Sequence, residues 1–104
     1  MNAEPGAEAP VRIRAAVPAD LPAIEAIEEA AFEPSRRSSR RVLRRALGSA
    51  FQRVMVVEVD GAVAGYLVLW PHPRTWRIYN LATAPAWRGR GLAGRLIAAA
   101  VAAA

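Results

Sequence analysis

The sequence contains no cysteine, no lysine, a single histidine and no apolar run of membrane-spanning length. Without cysteine there is no disulfide framework, and the redox compartment cannot be read from the chain. His72 is the sole soft ligand, so no zinc-ligand set is present and no metal is expected. The most apolar stretch, Leu96–Ala104, is nine residues of mostly alanine, whereas a spanning helix needs about 20. The first ten residues are acidic and rich in proline and glycine. They lack the basic start and apolar run of a signal peptide. Residues 1–10 are expected to form a flexible leader, and a cytoplasmic location, with no membrane contact, is the default. At 104 residues the chain fits one small domain over 11–104, with little core to spare.

What the sequence does have is arginine and alanine. All 14 basic residues are arginine, and 24 residues are alanine. Such a bias follows most simply from GC-rich coding, so the choice of arginine carries little weight. The distribution of charge says more. Residues 1–33 carry a net charge of −5, residues 34–60 of +5, and residues 61–104, which hold no acid, of +5. A polyanionic partner would therefore bind the last two thirds.

Val11–Ala16 alternates apolar and polar positions, which predicts a strand with one wet face. Pro18 to Pro22 opens a helix over about 19–32, where Asp20 can cap the positive end. Leu21, Ile24, Ile27, Ala31 and Phe32 recur at helical spacing, and Glu25, Glu28 and Glu29 are placed on the wet side. Pro34 stops this helix. A second helix, about 38–47, has Val42, Leu43, Ala46 and Leu47 on one stripe and Arg40, Arg41, Arg44 and Arg45 on the other. Gly48 is a stop signal. Strands follow at 52–59 and 62–70, joined by Asp60-Gly61, the strongest short hairpin signal. Pro71 and Pro73 are read as breaking the second strand. A strand over 75–84 precedes Pro85, and a last helix spans about 91–103. Its buried side is read as Leu92, Leu96, Ile97, Ala100 and Val101. The order β-α-α-β-β-β-α is an α+β layout with helices packed on a sheet.

The chemistry-bearing segment is Leu81–Gly94. A strand ends at Pro85, and Arg88-Gly-Arg-Gly-Leu-Ala-Gly94 then opens a helix. The first N–H groups of a helix lack partners within it, and its N-terminal end carries partial positive charge. Gly89 and Gly91 let an anion approach the backbone, and Arg88 and Arg90 can add charge-assisted bonds. Together these make a pyrophosphate cradle. The segment is no Walker loop, because no Gly-Lys-Ser/Thr follows. It is a poor Rossmann fingerprint, because its strand follows a hairpin and no acid lies downstream for a ribose.

Arg88-x-x-Gly91-x-Ala93 matches the Q/R-x-x-G-x-G/A acetyl-CoA motif. On this basis the chain resembles the GNAT superfamily of N-acetyltransferases. The likeness extends to Val11–Arg14 followed by Pro18–Ile24, to Val59–Leu67 and to the element order, and so covers residues 11–101. It implies a GNAT-like (acyl-CoA N-acyltransferase) mixed sheet with flanking helices. It also implies acetyl transfer from acetyl-CoA to a primary amine, either a small molecule or a protein N-terminus. By resemblance, Leu81, Ala82 and Thr83 would bond the pantetheine arm through their backbones. The N–H groups of Gly89, Arg90, Gly91, Leu92, Ala93 and Gly94 would hold the pyrophosphate, with the Arg88 and Arg90 side chains alongside. A backbone N–H near Ala82 would polarise the thioester carbonyl.

Family members usually continue past this helix with further strands and a helix, a part that often carries a tyrosine general acid. The chain is therefore expected to lack the usual C-terminal elements, and no catalytic acid or base is assigned. Glu58 is read as a solvent-facing strand residue, His72 as a turn residue, and Trp70, Trp76 and Tyr79 as core or rim packing. The alternative is a catalytically incomplete module that binds CoA or an interaction partner and needs a partner chain. Without a further strand, 75–84 would be an open edge, and homodimerisation through it is expected. The arginine run at 36–45 could bind RNA or an acidic protein. A solvated helix face is the simpler reading, so nucleic acid is not the expected partner.

Overall fold

The structure is a computed structural model and describes residues 10–103. The leader expected over 1–10 lies outside the described residues except for Pro10, whose carbonyl accepts the Asp60 N–H at 2.9 Å. The elements are β1 (Val11–Ala15), α1 (Leu21–Ala31), α2 (Arg40–Gly48), β2 (Arg53–Val59), β3 (Ala62–His72), β4 (Thr75–Thr83) and α3 (Leu92–Ala103). Short 3₁₀ turns at Pro18–Asp20, Pro34–Arg36 and Pro85–Trp87 join them. The β-α-α-β-β-β-α order expected from the sequence is the order observed. No described helix is long and apolar enough to cross a membrane.

The four strands form one sheet in the order β1-β2-β3-β4. Among the described residues every pairing is antiparallel, where a mixed sheet was expected. The connections explain this. Two strand junctions are tight hairpins, and between β1 and β2 a pair of helices returns the chain to the end it left. At the first hairpin Asp60 and Gly61 both take positive φ, 53° and 83°, as a type I′ turn demands.

Helices cover both faces of the sheet. On one face Leu21, Ile24 and Ile27 of α1 and Leu43 and Ala46 of α2 pack on Val54, Val56, Tyr66 and Val68. On the other, Leu92, Leu96 and Ala100 of α3 pack on Val57, Val59, Leu67 and Leu69. Successive residues of β3 therefore enter opposite cores, which is why Ala64–Leu69 is buried without a polar break. Ser39 caps α2, its hydroxyl accepting the Val42 N–H at 3.1 Å.

Three local expectations need correction. β3 runs through Pro71 to His72 and does not stop before them. β2 begins at Arg53 opposite Leu69, so beyond that point β3 has a neighbour on one side only. A proline there robs no second strand of a bond. Val101 is 71% exposed, because Leu92, Leu96 and Ala100 already fill the line of contact and Val101 lies about 100° around the helix from Ala100. Glu58 is not simply solvent-facing: its carboxylate accepts Arg14 Nε at 2.7 Å.

Arg14 also grips Asp20 through both terminal nitrogens, at 2.8 and 2.9 Å. Asp20 does act at the helix start, but by accepting the Val17 N–H at 2.8 Å. One guanidinium thus joins β1, β2 and the entry to α1. The Arg14 hydrogen bonds hold the buried Asp20 carboxyl below the usual carboxylate range, against the opposing effect of burial. Because the folded-state value is depressed, this stability is complete above the unfolded value of about 3.9 and fades as pH falls through the folded one. Asp20→Asn should cost about 2 kcal/mol at neutral pH, measured by urea unfolding, and the gap from the parent protein should narrow below about pH 4. A gap independent of pH would contradict this role.

Candidate functional site

Among the described residues β4 is one edge of the sheet and β1 the other. Ala84 N–H donates to Ala64 O at 2.7 Å, in register with the β3–β4 pairing. Antiparallel pairs alternate between bonded and unbonded positions. Ala82 therefore turns its N–H and C=O inward to Tyr66, while Leu81 and Thr83 turn theirs outward from the sheet. A β-bulge between Val68 and Leu69 leaves Tyr79 without a partner on β3. Tyr79 stacks on Trp70 with centroids 4.6 Å apart and planes at 7°, which is packing at the rim as expected.

After Thr83 the chain makes the Pro85–Trp87 turn and enters the Arg88–Gly91 loop. Gly89 and Gly91 have φ of +77° and +76°, a left-handed conformation that side chains rarely tolerate. A Cβ at Gly89, Gly91 or Gly94 would meet nothing within 4 Å, so the space before the loop is open. Among the described residues no acceptor takes the backbone N–H of Gly89, Arg90, Gly91, Leu92, Ala93 or Gly94. Leu92 contributes only its backbone, because its side chain is buried under the sheet. The Arg90 guanidinium lies 4.8 Å from the centroid of the Trp87 ring, which holds its charge beside the loop. Arg88 reaches back towards Thr83 O at 3.4 Å.

The loop and strand border an open pocket of about 280 Å³ lined by Ala31, Phe32, Leu81, Ala82, Thr83, Arg88 and Ala93. The structure thus brings Leu81, Ala82, Thr83, Arg88 and Ala93 together. It places Gly89, Arg90, Gly91, Leu92 and Gly94 on the adjoining loop and first helical turn. Ala31 and Phe32, from the end of α1, are a wall that the sequence reading had not assigned to the site.

A second omission is larger. Glu28 is 2% exposed, although it was placed on the wet side of α1. Its carboxylate accepts the Tyr66 hydroxyl, Asn80 Nδ2 at 3.1 Å and the Ser38 N–H at 2.5 Å. Asn80 Nδ2 also donates to Ser38 Oγ at 2.9 Å. α1, the turn before α2, β3 and β4 meet at this carboxylate. It lies one helical turn before Ala31 and Phe32, across from the residue two before Ala82. The signal was present in the spacing: Leu21, Ile24, Glu28 and Ala31 fall on one helical stripe. Charge alone had assigned Glu28 to the other face. His72 sits exposed at the β3–β4 turn, roughly 23 Å along β4 from Ala82. Among the described residues no group of three or more His, Asp or Glu side chains could hold a metal.

Residues 21–104 match the acetyltransferase (GNAT) family model. No curated protein matches the chain. Many solved structures do. One is the ribosomal-protein-S18-alanine N-acetyltransferase of Escherichia coli, with a TM-score of 0.77 and 19% identity over 88% of this chain and 57% of that one. Another is a GNAT family acetyltransferase from Brucella melitensis in complex with acetyl-CoA, with a TM-score of 0.72 and 27% identity over 89% and 67%. A third is an aminoglycoside acetyltransferase from an uncultured soil metagenomic sample in complex with sisomicin, with a TM-score of 0.69 and 24% identity over 86% and 66%. The likenesses below 25% identity show the fold, and this chain spans less than two thirds of the Escherichia coli enzyme.

Removing the Glu28 carboxylate would leave the buried Tyr66 hydroxyl and the part-buried Ser38 N–H without their acceptor, and Asn80 Nδ2 with Ser38 Oγ in place of the carboxylate. Glu28→Ala should cost about 3 kcal/mol or more, and Tyr66→Phe about 1 kcal/mol, both measured by urea unfolding. Equal, small losses would show that the carboxylate does not hold these elements together.

Proposed function

We propose, from the premise that the chain belongs to the acetyltransferase (GNAT) family, that it moves an acetyl group from acetyl-CoA to a primary amine. The observation that carries this reading is the row of N–H groups from Gly89 to Gly94 without acceptors, set beside the outward-facing backbone of Leu81 and Thr83. A pyrophosphate is the ligand such a helix start suits, and the glycines at 89 and 91 leave room for it. The residues present fit acetyl-CoA, which supplies the activated acetyl group. Arg88 and Arg90 add positive charge beside the phosphates. The edge of β4 offers hydrogen bonds to the amide-bearing arm. An outward N–H of Leu81 or Thr83, flanking Ala82, would polarise the thioester carbonyl. The amine must attack as the neutral base, so a proton acceptor for it and a donor to the departing thiolate are both needed. No side chain is assigned to either task. The reading places residues 11–104 in one acetyltransferase domain and fits a cytoplasmic protein, where acetyl-CoA is made and used.

A second reading rests on β4, whose outer edge has no partner strand among the described residues. In it the chain binds CoA without turning it over, and completes the sheet by pairing β4 with a second copy or a partner chain. Calorimetry with acetyl-CoA tests the first reading. Binding should be measurable, and Gly91→Glu should weaken it by about tenfold or more, through strain at positive φ and charge repulsion. No binding at high micromolar concentration, or no effect of Gly91→Glu, would overturn it. Thiol release from acetyl-CoA in the presence of amines separates the readings: turnover removes the second. A monomer by light scattering at high concentration removes the pairing of β4 with a second copy.

A further inference from the structure

The outer face of the two-helix layer carries charges of opposite sign in two stripes. α1 buries Leu21, Ile24, Ile27 and Glu28. At about 100° per residue its outward side is then Pro22, Ala26 and Glu29, flanked by Glu25 and Ala30. Pro22, Ala26, Glu29 and Ala30 are exposed, and with Glu25 and Arg37 they line a shallow, open hollow. Arg37 is committed within the chain, to the carbonyls of Phe32 and Glu29, each at 2.9 Å. α2 buries Leu43 and Ala46, which turns Arg41, Arg44 and Arg45 outward, and all three are exposed.

The stripes lie side by side. Arg40 Nε stands 3.3 Å from Glu25 Oε2. One turn further along α2, Arg44 and Gly48 share a groove with Leu21 and Pro22, one turn earlier on α1. α2 therefore runs back along α1, and a row of arginines stands beside a row of glutamates. Among the described residues Glu25 and Arg40 form the one ion pair between the rows. Neither the Glu29 carboxylate nor Arg41, Arg44 or Arg45 has an ion-pair partner there. The stretch from Pro34 to Val57 holds no acid, so a complement to the arginine row comes from α1 or from another molecule.

We infer that this face docks on the same face of a second copy of the chain, with each glutamate stripe lying along the other copy's arginine row. Adjacent stripes of opposite sign are self-complementary under a twofold rotation. Only one direction of the axis serves. An axis along the helices, between α1 and α2, lays α1 of each copy over α2 of the other. An axis across them lays α1 over α1 and sets like charges together. The first axis preserves position along the helices, so Glu25 of each copy comes level with Arg40 and Arg41 of the other. Glu29 stands roughly 6 Å further along, within reach of an extended guanidinium. Pro22, Ala26 and Ala30 keep the centre of the face low, so the opposing helix can approach. A foreign acidic chain would satisfy the arginine row but leave Glu29 facing like charge, whereas a second copy satisfies both rows at once. The net charge of +5 repels two copies at long range, so the contact depends on the local match. The two helices cover roughly 16 by 20 Å, below the ~800 Å² per partner of a stable complex. The dimer is therefore a weak, reversible one. It uses neither the acetyl-CoA pocket nor the edge of β4.

Sedimentation velocity on the whole chain tests this. Between about 20 µM and about 1 mM it should show a monomer–dimer equilibrium with a dissociation constant on the order of 100 µM, weakened at about 0.5 M salt. Two charge-reversed variants sharpen the test, with circular dichroism reporting their fold. One is Arg41→Glu with Arg44→Glu, and the other is Glu25→Arg with Glu29→Arg. Each alone should associate about tenfold or more weakly than the parent protein, the first in spite of its lower net charge. Mixed in equal amounts they should associate again, because every stripe then meets its opposite. A monomer at about 1 mM, a dimer that survives both reversals, or a mixture no more associated than its parts would overturn the inference. A dimer that survives both reversals would point to pairing through β4 instead. No acetyl-CoA is present, so failure here leaves the acetyl-transfer reading untouched.

Discussion

The first N–H groups of an α-helix have no partner inside it, and the surroundings of α3 keep those of this helix uncovered. The helix itself is held by its other side: Leu92, Leu96 and Ala100 sink into the sheet and fix where its first turn stands. Gly89 and Gly91 bend the approach so that no loop carbonyl folds back onto the N–H row. Arg90 is held to the Trp87 ring and Arg88 leans towards Thr83. Positive charge is thereby gathered at the end of β4, beside the outer edge of that strand.

The opposite wall depends on Glu28. Burying a carboxylate is costly unless donors surround it, and the donors come from Tyr66, Asn80 and Ser38. Satisfying the carboxylate therefore fixes the spacing between α1 and β4, and with it the width of the pocket that Ala31 and Phe32 close. The same anchor sets where α2 starts, and so where its arginines stand. Arg14 plays the matching part at the far end of α1, tying the helix entry to β1 and β2 through Asp20 and Glu58. Between them the two charged centres pin α1 near both of its ends, and the apolar core fills what lies between.

What the sequence made legible is what local rules govern. Periodicity placed every helix and strand to within a few residues. The Asp60-Gly61 hairpin and the glycines of the loop followed from backbone sterics alone. Arg88, Gly91 and Ala93 match a family motif and stand at the start of α3. What stayed hidden depends on partners distant in sequence. Nothing adjacent to Glu28 says that Tyr66 and Asn80 will meet it, so its charge outweighed its place on the apolar stripe. Arg14 and Glu58 look like wet strand positions until the register sets them side by side. Pro71 could be kept in β3 only once β2 was known to start opposite Leu69. Val101 reads as core until the line of contact of α3 is seen to be full.

The central claim is that the N–H row of Gly89–Gly94 and the outer edge of β4 together receive acetyl-CoA. Titration of the ¹⁵N-labelled protein with acetyl-CoA, followed by backbone amide shifts, tests it most directly. The amides of Gly89–Gly94, Leu81 and Thr83 should move together along one binding curve, while those of Arg41 and Arg45 stay in place. Unmoved amides in the loop, or the largest shifts on α2, would contradict it.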